Sequence, residues 1–425
     1  MEMKRAIVFA GGGTKGAYQA GFVKALRELD IDYDIVTGTS IGALNGCLLA
    51  QQDYEAMYEL WRTLDLDDIM EDGIDMKFTF ENMINQSELI RPFLKSYIDH
   101  KGANIQPLKD KINELANEER LQSTHKQFGL VTVEYPKLIA HELTYDQMKG
   151  SLKDYLLASA SCFPAFPIHE FNGHSYIDGG YHDNLPIDLA FKMGADEVIA
   201  VEITYGRVTH PHYENRPNIT VVRPSLYNGQ FLDFDKGMLD HRQKLGYNDT
   251  MKKLGGYLGK TYTFYPYSKM ELAKNLYMDI LNYEGKLNDD IIKRKIKIIN
   301  NLPLSSLVVA KYDHPSYMDH LITAIEVIAE FYQYDPIEIY HVDMMIQKLK
   351  DRFYQDLENY KNMIPENMKS IEAVKLKETL DHLSKIDLIC YLYLQLTENS
   401  DKFDENWIYP FFPEELLCAF LFKNL

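Results

Sequence analysis

The sequence predicts an α/β fold with a mostly parallel central sheet, followed by an all-α C-terminal part. Three observations carry this. Strand-like and helix-like stretches alternate through the first half of the chain, the order that a parallel sheet with crossover helices requires. Two glycine-bearing turns, Gly11–Gly16 and Gly38–Gly42, each close a short apolar strand and open a helix. From about residue 231 onward, helical spacing runs almost without a break.

In chain order, residues 5–10 read as a buried strand, and residues 16–29 place Tyr18, Phe22, Ala25 and Leu26 at helical spacing. Asp34–Thr37 is a second short strand; it runs through Gly38-Thr39-Ser40-Ile41-Gly42 into another helix. Residues 53–126 look mostly helical and polar. Strand character resumes at 128–135 and 137–143. Residues 153–160 form a helix stopped by Pro164 and Pro167. Residues 174–184 are a strand leading into a glycine turn, and a short helix follows with Pro186 near its start and Gly194 past its end. Residues 196–203 and 218–224 are again strands. Helices are then expected at 235–254, 270–282, 288–300, 316–333, 338–360 and 371–396. The shift in pattern divides the chain into residues 1–258 and 259–425. No Pro/Gly/Ser-rich linker marks the boundary, so the two parts are expected to pack together.

The 425 residues leave room for two domains, and 46% hydrophobic with 25% charged residues is ordinary for a globular protein. The formal net charge is −18, with the acid spread along the chain rather than held in a tail. This argues against nucleic acid as a partner, because binding phosphates requires a basic face. It also weakens attraction to anionic membranes. Cys47, Cys162, Cys390 and Cys418 show no C-x-x-C or metal-ligand spacing and read as buried thiols of a reducing compartment. The first strand begins with no basic, then apolar, leader ahead of it, and no 18-residue apolar run exists. A cytoplasmic location is the expectation.

Gly11, Gly13 and Gly16 fit G-x-G-x-x-G, a spacing used to hold dinucleotide phosphates. That reading wants an acidic residue at the end of the second strand, whereas Asp32 and Asp34 lie at its start. Nor does Lys-Ser/Thr follow Gly16, as a P-loop would demand. The segment Gly38–Gly42 fits G-x-S-x-G between strand and helix, the context of a nucleophile elbow. The alternative is a serine that merely caps its helix. Both turns emerge at the C-terminal edge of neighbouring strands, where open α/β sheets place their sites. The negative charge to be held then reads as an oxyanion. The N–H groups of Gly11, Gly12 and Gly13 are candidate donors, each worth about 3–4 kcal/mol to a transition state, with Lys15 adding positive charge. The candidate base is Asp178, at a strand end before Gly179 and Gly180; the alternative is a turn-forming Asp.

Together these elements resemble the patatin-like phospholipases, a family of serine lipid acyl hydrolases. Gly11–Gly16 resembles the family's glycine-rich oxyanion motif, with Lys15 at its usual Arg/Lys place. Gly38–Gly42 resembles its nucleophile elbow, and Asp178-Gly179-Gly180 its Asp-Gly-Gly/Ala motif. Ala158–Pro164 resembles its Ala-Ser-x-x-x-Pro block. All four occur in the family's order. The match covers roughly residues 4–255 and ends in a stretch similar to the helix that closes many such domains. Ala10 stands where many members have Asp.

The resemblance implies a three-layer αβα sandwich and a Ser40–Asp178 dyad with no histidine. It implies an acyl-enzyme on Ser40, an oxyanion held by the glycine loop and the Ile41 N–H, and no metal or other cofactor. Aspartate is a weak base at its ordinary pKa of about 3.9, so desolvation is expected to help it. His174 and His182 flank Asp178 and permit a triad reading; the plainer view makes them polar strand-end and loop residues, and His169 and His141 are weaker still.

The family's substrates are acyl esters of glycerolipids, which predicts a broad apolar cleft. Phe163, Phe166 and Phe171 are candidates to line it or to pack in the core. Trp407, Tyr409, Phe411, Phe412, Phe420 and Phe422 crowd the end of the chain, either touching lipid, capping the cleft, or docking a terminal helix. The run Lys293, Arg294, Lys295 and Lys297 either contacts anionic head groups or is a solvated face. The expectation is a lipid acyl hydrolase in transient contact with a membrane surface. The alternatives are an acyl hydrolase or acyltransferase on soluble esters or thioesters, or a lipid-sensing protein whose hydrolase is weak or gated.

Overall fold

The structure is a computed structural model that describes residues 3–70, 105–286, 312, 314–363, 383–398 and 412–425. The chain divides into two compact units, Met1–Gly255 and Gly256–Leu425.

The first unit is built on an eight-stranded sheet. Its strands are β1 (Arg5–Phe9), β2 (Ile35–Thr39), β3 (Gln127–Tyr135), β4 (Ile139–Thr144), β5 (His169–Phe171), β6 (His174–Asp178), β7 (Glu197–Val201) and β8 (Ile219–Val222). The spatial order is β5-β6-β3-β2-β1-β7-β8, with β4 paired to β3. Strands β3, β2, β1, β7 and β8 are mutually parallel; β4 and β6 run antiparallel to β3, and β5 antiparallel to β6. In β1, Ala6, Ile7, Val8 and Phe9 are all fully buried, as a strand covered on both faces must be.

Helices cover the two faces and make three layers. They are α1 (Ala17–Glu28), α2 (Ile41–Ala50), α3 (Tyr54–Thr63), α4 (Gln106–Leu115), α5 (Glu118–Ser123), α6 (Tyr145–Met148), α7 (Leu152–Ser159), α8 (Ile187–Lys192) and α9 (Lys236–Leu254). Phe9, Val36 and Phe128 face Gly46 of α2, whereas Gly129, one residue on, faces Leu189 of α8 and the adjacent Met193. On the α2 face, Phe22 of α1 meets Phe9 edge-on at 5.9 Å. Helices α1 and α9 cross at backbone contact: a Cβ on Gly21 would sit 1.9 Å from the Gln243 carbonyl oxygen, and one on Gly246 2.0 Å from that of Tyr18.

The second unit is helical, with α10 (Met270–Lys286), α11 (Tyr317–Phe331), α12 (Val342–Met363), α13 (Lys385–Glu398) and α14 (Pro413–Asn424) around one apolar core. Helix α14 docks on that core. Leu416, Cys418 and Leu421 are fully buried, Phe422 stacks on Phe353 at 3.9 Å, and Phe420 stacks on Tyr283 at 4.2 Å. The buried Glu326 of α11 accepts the N–H groups of Lys260, Thr261 and Tyr262 at 2.7, 2.8 and 3.0 Å, fastening the entry loop.

Several sequence expectations shift. The second strand ends at Thr39, not Thr37, and the short strand His169–Phe171 is additional. The helix expected from 338 begins at Val342, because Ile339 and Tyr340 pair in parallel with Thr263 and Phe264. The helix at 288–300, the first part of 371–396, the basic run at 293–297, and Trp407, Tyr409 and Phe411 lie outside the described residues. All four cysteines are free thiols; Cys162 is half-buried and the other three are buried. Among the described residues, no helix is long and apolar enough to cross a membrane.

Candidate active site

Sheet register brings Ser40 and Asp178 together. β2 runs parallel along the first part of β3, ending with Thr39 opposite Val131. β6 runs antiparallel along the remainder, ending with Asp178 opposite Thr132. β4 occupies the other edge of β3 along Gly129–Glu134. The ends of β2 and β6 therefore meet head-on at one point, and the residue after Thr39 is Ser40.

Ser40 has φ 57° and ψ −127°, a strained conformation for a residue with a Cβ. The tightness of the elbow explains its glycines: a Cβ on Gly38 would lie 2.2 Å from the Gly42 carbonyl oxygen, and one on Gly42 2.5 Å from that of Phe9. Ser40 makes no side-chain capping bond to α2, so the capping alternative does not hold. Its side chain instead lies close enough to the Asp178 carboxyl to favour that group's ionised form. The Ser40 N–H donates to Ser159 Oγ at 2.9 Å.

Asp178 is only 4% exposed. Its Oδ1 accepts the Gly180 N–H at 2.7 Å, and its own N–H donates to the Ser161 carbonyl at 2.9 Å. Burial pushes its pKa up to about 6, against the downward pull of Ser40 and the Gly180 N–H. No histidine is among the groups that act on it. His174 and His141 face Glu134, His182 faces Glu142, and His169 faces Asp154. The triad alternative therefore has no geometry behind it.

The glycine-rich loop leaves β1 beside the elbow, with Gly13–Gly16 forming a 3-10 turn. Gly11 requires a correction. Its N–H donates to the Asn184 carbonyl at 3.0 Å and is not available to an oxyanion. Gly11 instead packs against the elbow, where a Cβ would come within 3.0 Å of Ser40 Cβ. Among the described residues, no partner takes the N–H groups of Gly12, Gly13 or Ile41. Lys15 is buried within the turn at 6% exposure rather than held out toward solvent. Gly16 offers its carbonyl to Asn45 Nδ2 at 3.1 Å; Asn45 in turn accepts Trp61 Nε1–H at 3.0 Å and donates to Gln19 Oε1 at 2.8 Å. Gly179 and Gly180 open the 3-10 turn after Asp178.

Three supports carry no sequence signal that was read as functional. Asn184 Nδ2 donates to the Gly11 carbonyl at 3.0 Å, tying the glycine loop to the turn after Asp178. Thr14 donates both its N–H and its hydroxyl to the Phe231 carbonyl, each at 2.9 Å. The fully buried Arg242 donates to the carbonyls of Asn228, Gln230 and Asp233 and to Thr14 Oγ1, at 2.7–3.0 Å. Burial lowers its pKa to about 10. The signal for Asn184 was available in Asn184-Leu185-Pro186, which follows the Asp-Gly-Gly turn closely.

Ser40 opens onto an apolar cleft. Ile41, Leu44, Trp61, Leu156, Phe166 and Phe231 are among its walls. Of the three phenylalanines considered, only Phe166 lines it. Phe163 lies against Tyr135 at 6.3 Å, and Phe171 meets Tyr155 edge-on at 5.4 Å. Among the described residues, no group of three or more His, Cys, Asp or Glu side chains is placed to hold a metal ion.

The site thus combines a strained serine at a strand-to-helix turn of a parallel sheet, a buried carboxyl beside it and an apolar cleft. Residues 7–191 match the family model described as patatin-like phospholipase, so the first unit carries a patatin-like phospholipase domain. The chain is 30% identical over 207 residues to mouse patatin-like phospholipase domain-containing protein 7, covering 47% of this chain and 13% of that protein. It is 27% identical over 209 residues to lysophospholipase nte1 of Aspergillus terreus, covering 46% of this chain and 12% of that protein. The match thus spans about one eighth of the length of these relatives. Among solved structures, VipD from Legionella pneumophila aligns over 99% of this chain and 92% of its own, at 15% identity and a TM-score of 0.40.

Proposed function

We propose that the first unit hydrolyses fatty-acyl esters of lipids through an acyl-enzyme on Ser40, with Asp178 as the base. The observation that carries this is the strained Ser40 brought by strand register beside the buried Asp178 carboxyl, at the wall of an apolar cleft.

The steps follow from the groups present. Asp178 takes the hydroxyl proton as Ser40 Oγ attacks the ester carbonyl carbon. The carbonyl oxygen becomes an oxyanion facing the N–H groups of Gly12, Gly13 and Ile41, the last at the positive end of α2. As the tetrahedral species collapses, Asp178 gives the proton to the departing alcohol oxygen, leaving the acyl group on Ser40. Water then gives a proton to Asp178 and its oxygen attacks the acyl carbon. Collapse releases the fatty acid and returns the proton to Ser40 Oγ. The apolar cleft receives the acyl chain. A carboxyl with pKa near 6 is a better base than an ordinary aspartate and is still ionised at neutral pH.

The substrate is presented from a lipid surface. Beside the site, the β3–β4 hairpin carries Leu138 and Ile139 at 63% and 47% exposure, and Tyr181 just past Asp178-Gly179-Gly180 is 54% exposed. Tyr181 donates its hydroxyl to the Phe163 carbonyl, Phe163 packs on Tyr135 of the hairpin, and the adjacent Cys162 lines the cleft. Exposed apolar side chains on a hairpin near the site suit a bilayer or micelle.

The test is fatty-acid release from mixed phospholipid vesicles and from a soluble short-chain ester, with Ser40→Ala and Asp178→Asn alongside wild type. Both variants are expected to lose activity on both substrates. Wild-type rates in either variant would dismiss the dyad.

A further inference from the structure

The serine of the Ala158–Pro164 block is fully buried at the end of α7, and its hydroxyl is used twice. Ser159 Oγ accepts the Ser40 N–H at 2.9 Å and donates to the Val131 carbonyl at 2.7 Å. The place matters. Val131 is the last β3 residue to pair with β2, and Thr132 the first of the turn-facing end to pair with β6. Where β2 departs into the elbow, the Ser40 N–H and the Val131 C=O both need a partner, and water is excluded. A buried backbone group left without a partner costs about 1–3 kcal/mol. One hydroxyl, with one donor and two acceptor lone pairs, satisfies both. Two residues on, the Ser161 carbonyl accepts the Asp178 N–H at 2.9 Å, and Ser161 Oγ fastens the segment to the Leu157 carbonyl at 2.8 Å. A single three-residue segment thus holds the main chains of both Ser40 and Asp178.

We propose that Ser159 is a positioning residue for the acyl-transfer reaction: its hydroxyl, inserted between the Ser40 N–H and the Val131 carbonyl, fixes the distance and angle at which Ser40 meets Asp178. The inference rests on the Ser40–Asp178 reading above. Removing the hydroxyl frees the elbow to shift away from the carboxyl. A displacement of about 1 Å at a reacting atom costs about 100-fold in rate. It also weakens the Ser40 interaction that draws the Asp178 pKa down, so that pKa rises.

The experiment compares wild type, Ser159→Ala, the near-isosteric Ser159→Cys and Ser40→Ala on a soluble short-chain ester from pH 4.5 to 8.5. Thr250→Val, which removes a fully buried hydroxyl bonded to the Gly246 carbonyl within α9, controls for simple loss of a buried hydrogen bond. Ser159→Ala is expected to lower kcat about 100-fold with KM little changed, and to move the midpoint of the kcat/KM profile upward. Ser159→Cys, a poorer hydrogen-bonding group, is expected to fall between the two. Thr250→Val is expected to melt lower with kcat and midpoint unchanged. A folded Ser159→Ala with wild-type kcat and midpoint overturns the proposal. If Ser159→Ala does not fold, wild-type kcat and midpoint in Ser159→Cys overturn it. Activity surviving in Ser40→Ala overturns the dyad itself, and the role of Ser159 with it.

Discussion

Thr39 and Asp178 meet end to end along one edge of β3, opposite the consecutive residues Val131 and Thr132. The pairing of Ser40 and Asp178, the proposed nucleophile and base, is therefore a property of strand register. A one-residue slip of β6 would bring Ile177 or Gly179 to the Ser40 hydroxyl in place of a carboxylate. This is why two residues 138 positions apart in sequence need no flexible loop to find one another.

The raised pKa of Asp178 predicts opposite effects on activity and stability. The base must be ionised, so kcat/KM on a soluble ester should rise with pH to a plateau above about 6, falling about tenfold per pH unit below it. For stability, the folded pKa of about 6 exceeds the ordinary 3.8. The protonated carboxyl is thus the form the fold favours. Its contribution is fully present below 3.8 and is lost as pH rises through 6, at a cost of about 3 kcal/mol once ionised. Asp178→Asn should be inactive yet melt higher than wild type at pH 8, with the gap closing toward pH 4. Thermal melts at the two pH values check this. An Asn variant that melts lower at pH 8 would contradict it.

Leu232 is a half-buried wall of the cleft on the loop before α9. Leu232→Trp should shorten the space open to an acyl chain without disturbing Ser40. The expected outcome is about a tenfold loss of kcat/KM for long-chain esters, with short-chain esters hydrolysed at close to wild-type rates. A chain-length series of soluble esters reads this out directly. Equal loss at every length would place Leu232 away from the acyl path.

Arg242 is predicted to matter for stability before chemistry. Its guanidinium serves three carbonyls and Thr14 Oγ1, and among the described residues its ion-pair partner is Asp233 Oδ2 at 3.9 Å. Arg242→Met would leave those carbonyls buried and unpaired, at a cost of about 3–5 kcal/mol. It would also free the 228–234 loop that anchors Thr14. Urea denaturation should show the loss, and the residual folded fraction should show a reduced kcat. A loss under about 1 kcal/mol would mean that water replaces the guanidinium.

What was legible in the sequence follows from how local the signals are. The elbow at Gly38–Gly42 and the turn at Asp178–Gly180 are short, and each is forced by backbone crowding that only glycine relieves, so they could be read directly. The Gly11 N–H could not be judged that way, because its partner, the Asn184 carbonyl, is 173 residues distant. Ser159 was visible within a motif, yet its role depends on where β2 leaves β3, which is a fact of register. The strand at Ile339–Tyr340 was hidden inside a helical pattern, because a two-residue pair has too few positions to show a period. Phe163, Phe166 and Phe171 look alike in sequence, and only packing separates the one that lines the cleft.

The β3–β4 hairpin gives the last prediction, and it separates lipid contact from catalysis. Leu138 and Ile139 are exposed on the hairpin and neither lines the cleft, so charge placed there should leave the chemistry intact. Leu138→Asp with Ile139→Asp removes two apolar side chains that would enter the lipid boundary, each worth about 1.5–3 kcal/mol when fully buried. Partial insertion realises only part of this, and the expected result is about a tenfold or greater loss of activity on zwitterionic phospholipid vesicles. Activity on a soluble short-chain ester should be unchanged. Vesicle sedimentation of the inactive Ser40→Ala background, with and without the hairpin changes, measures binding apart from turnover. Equal vesicle activity in the double variant would move the lipid-contacting surface elsewhere on the chain. Equal losses on vesicles and soluble ester would mean that the hairpin supports the fold of the site rather than its approach to lipid.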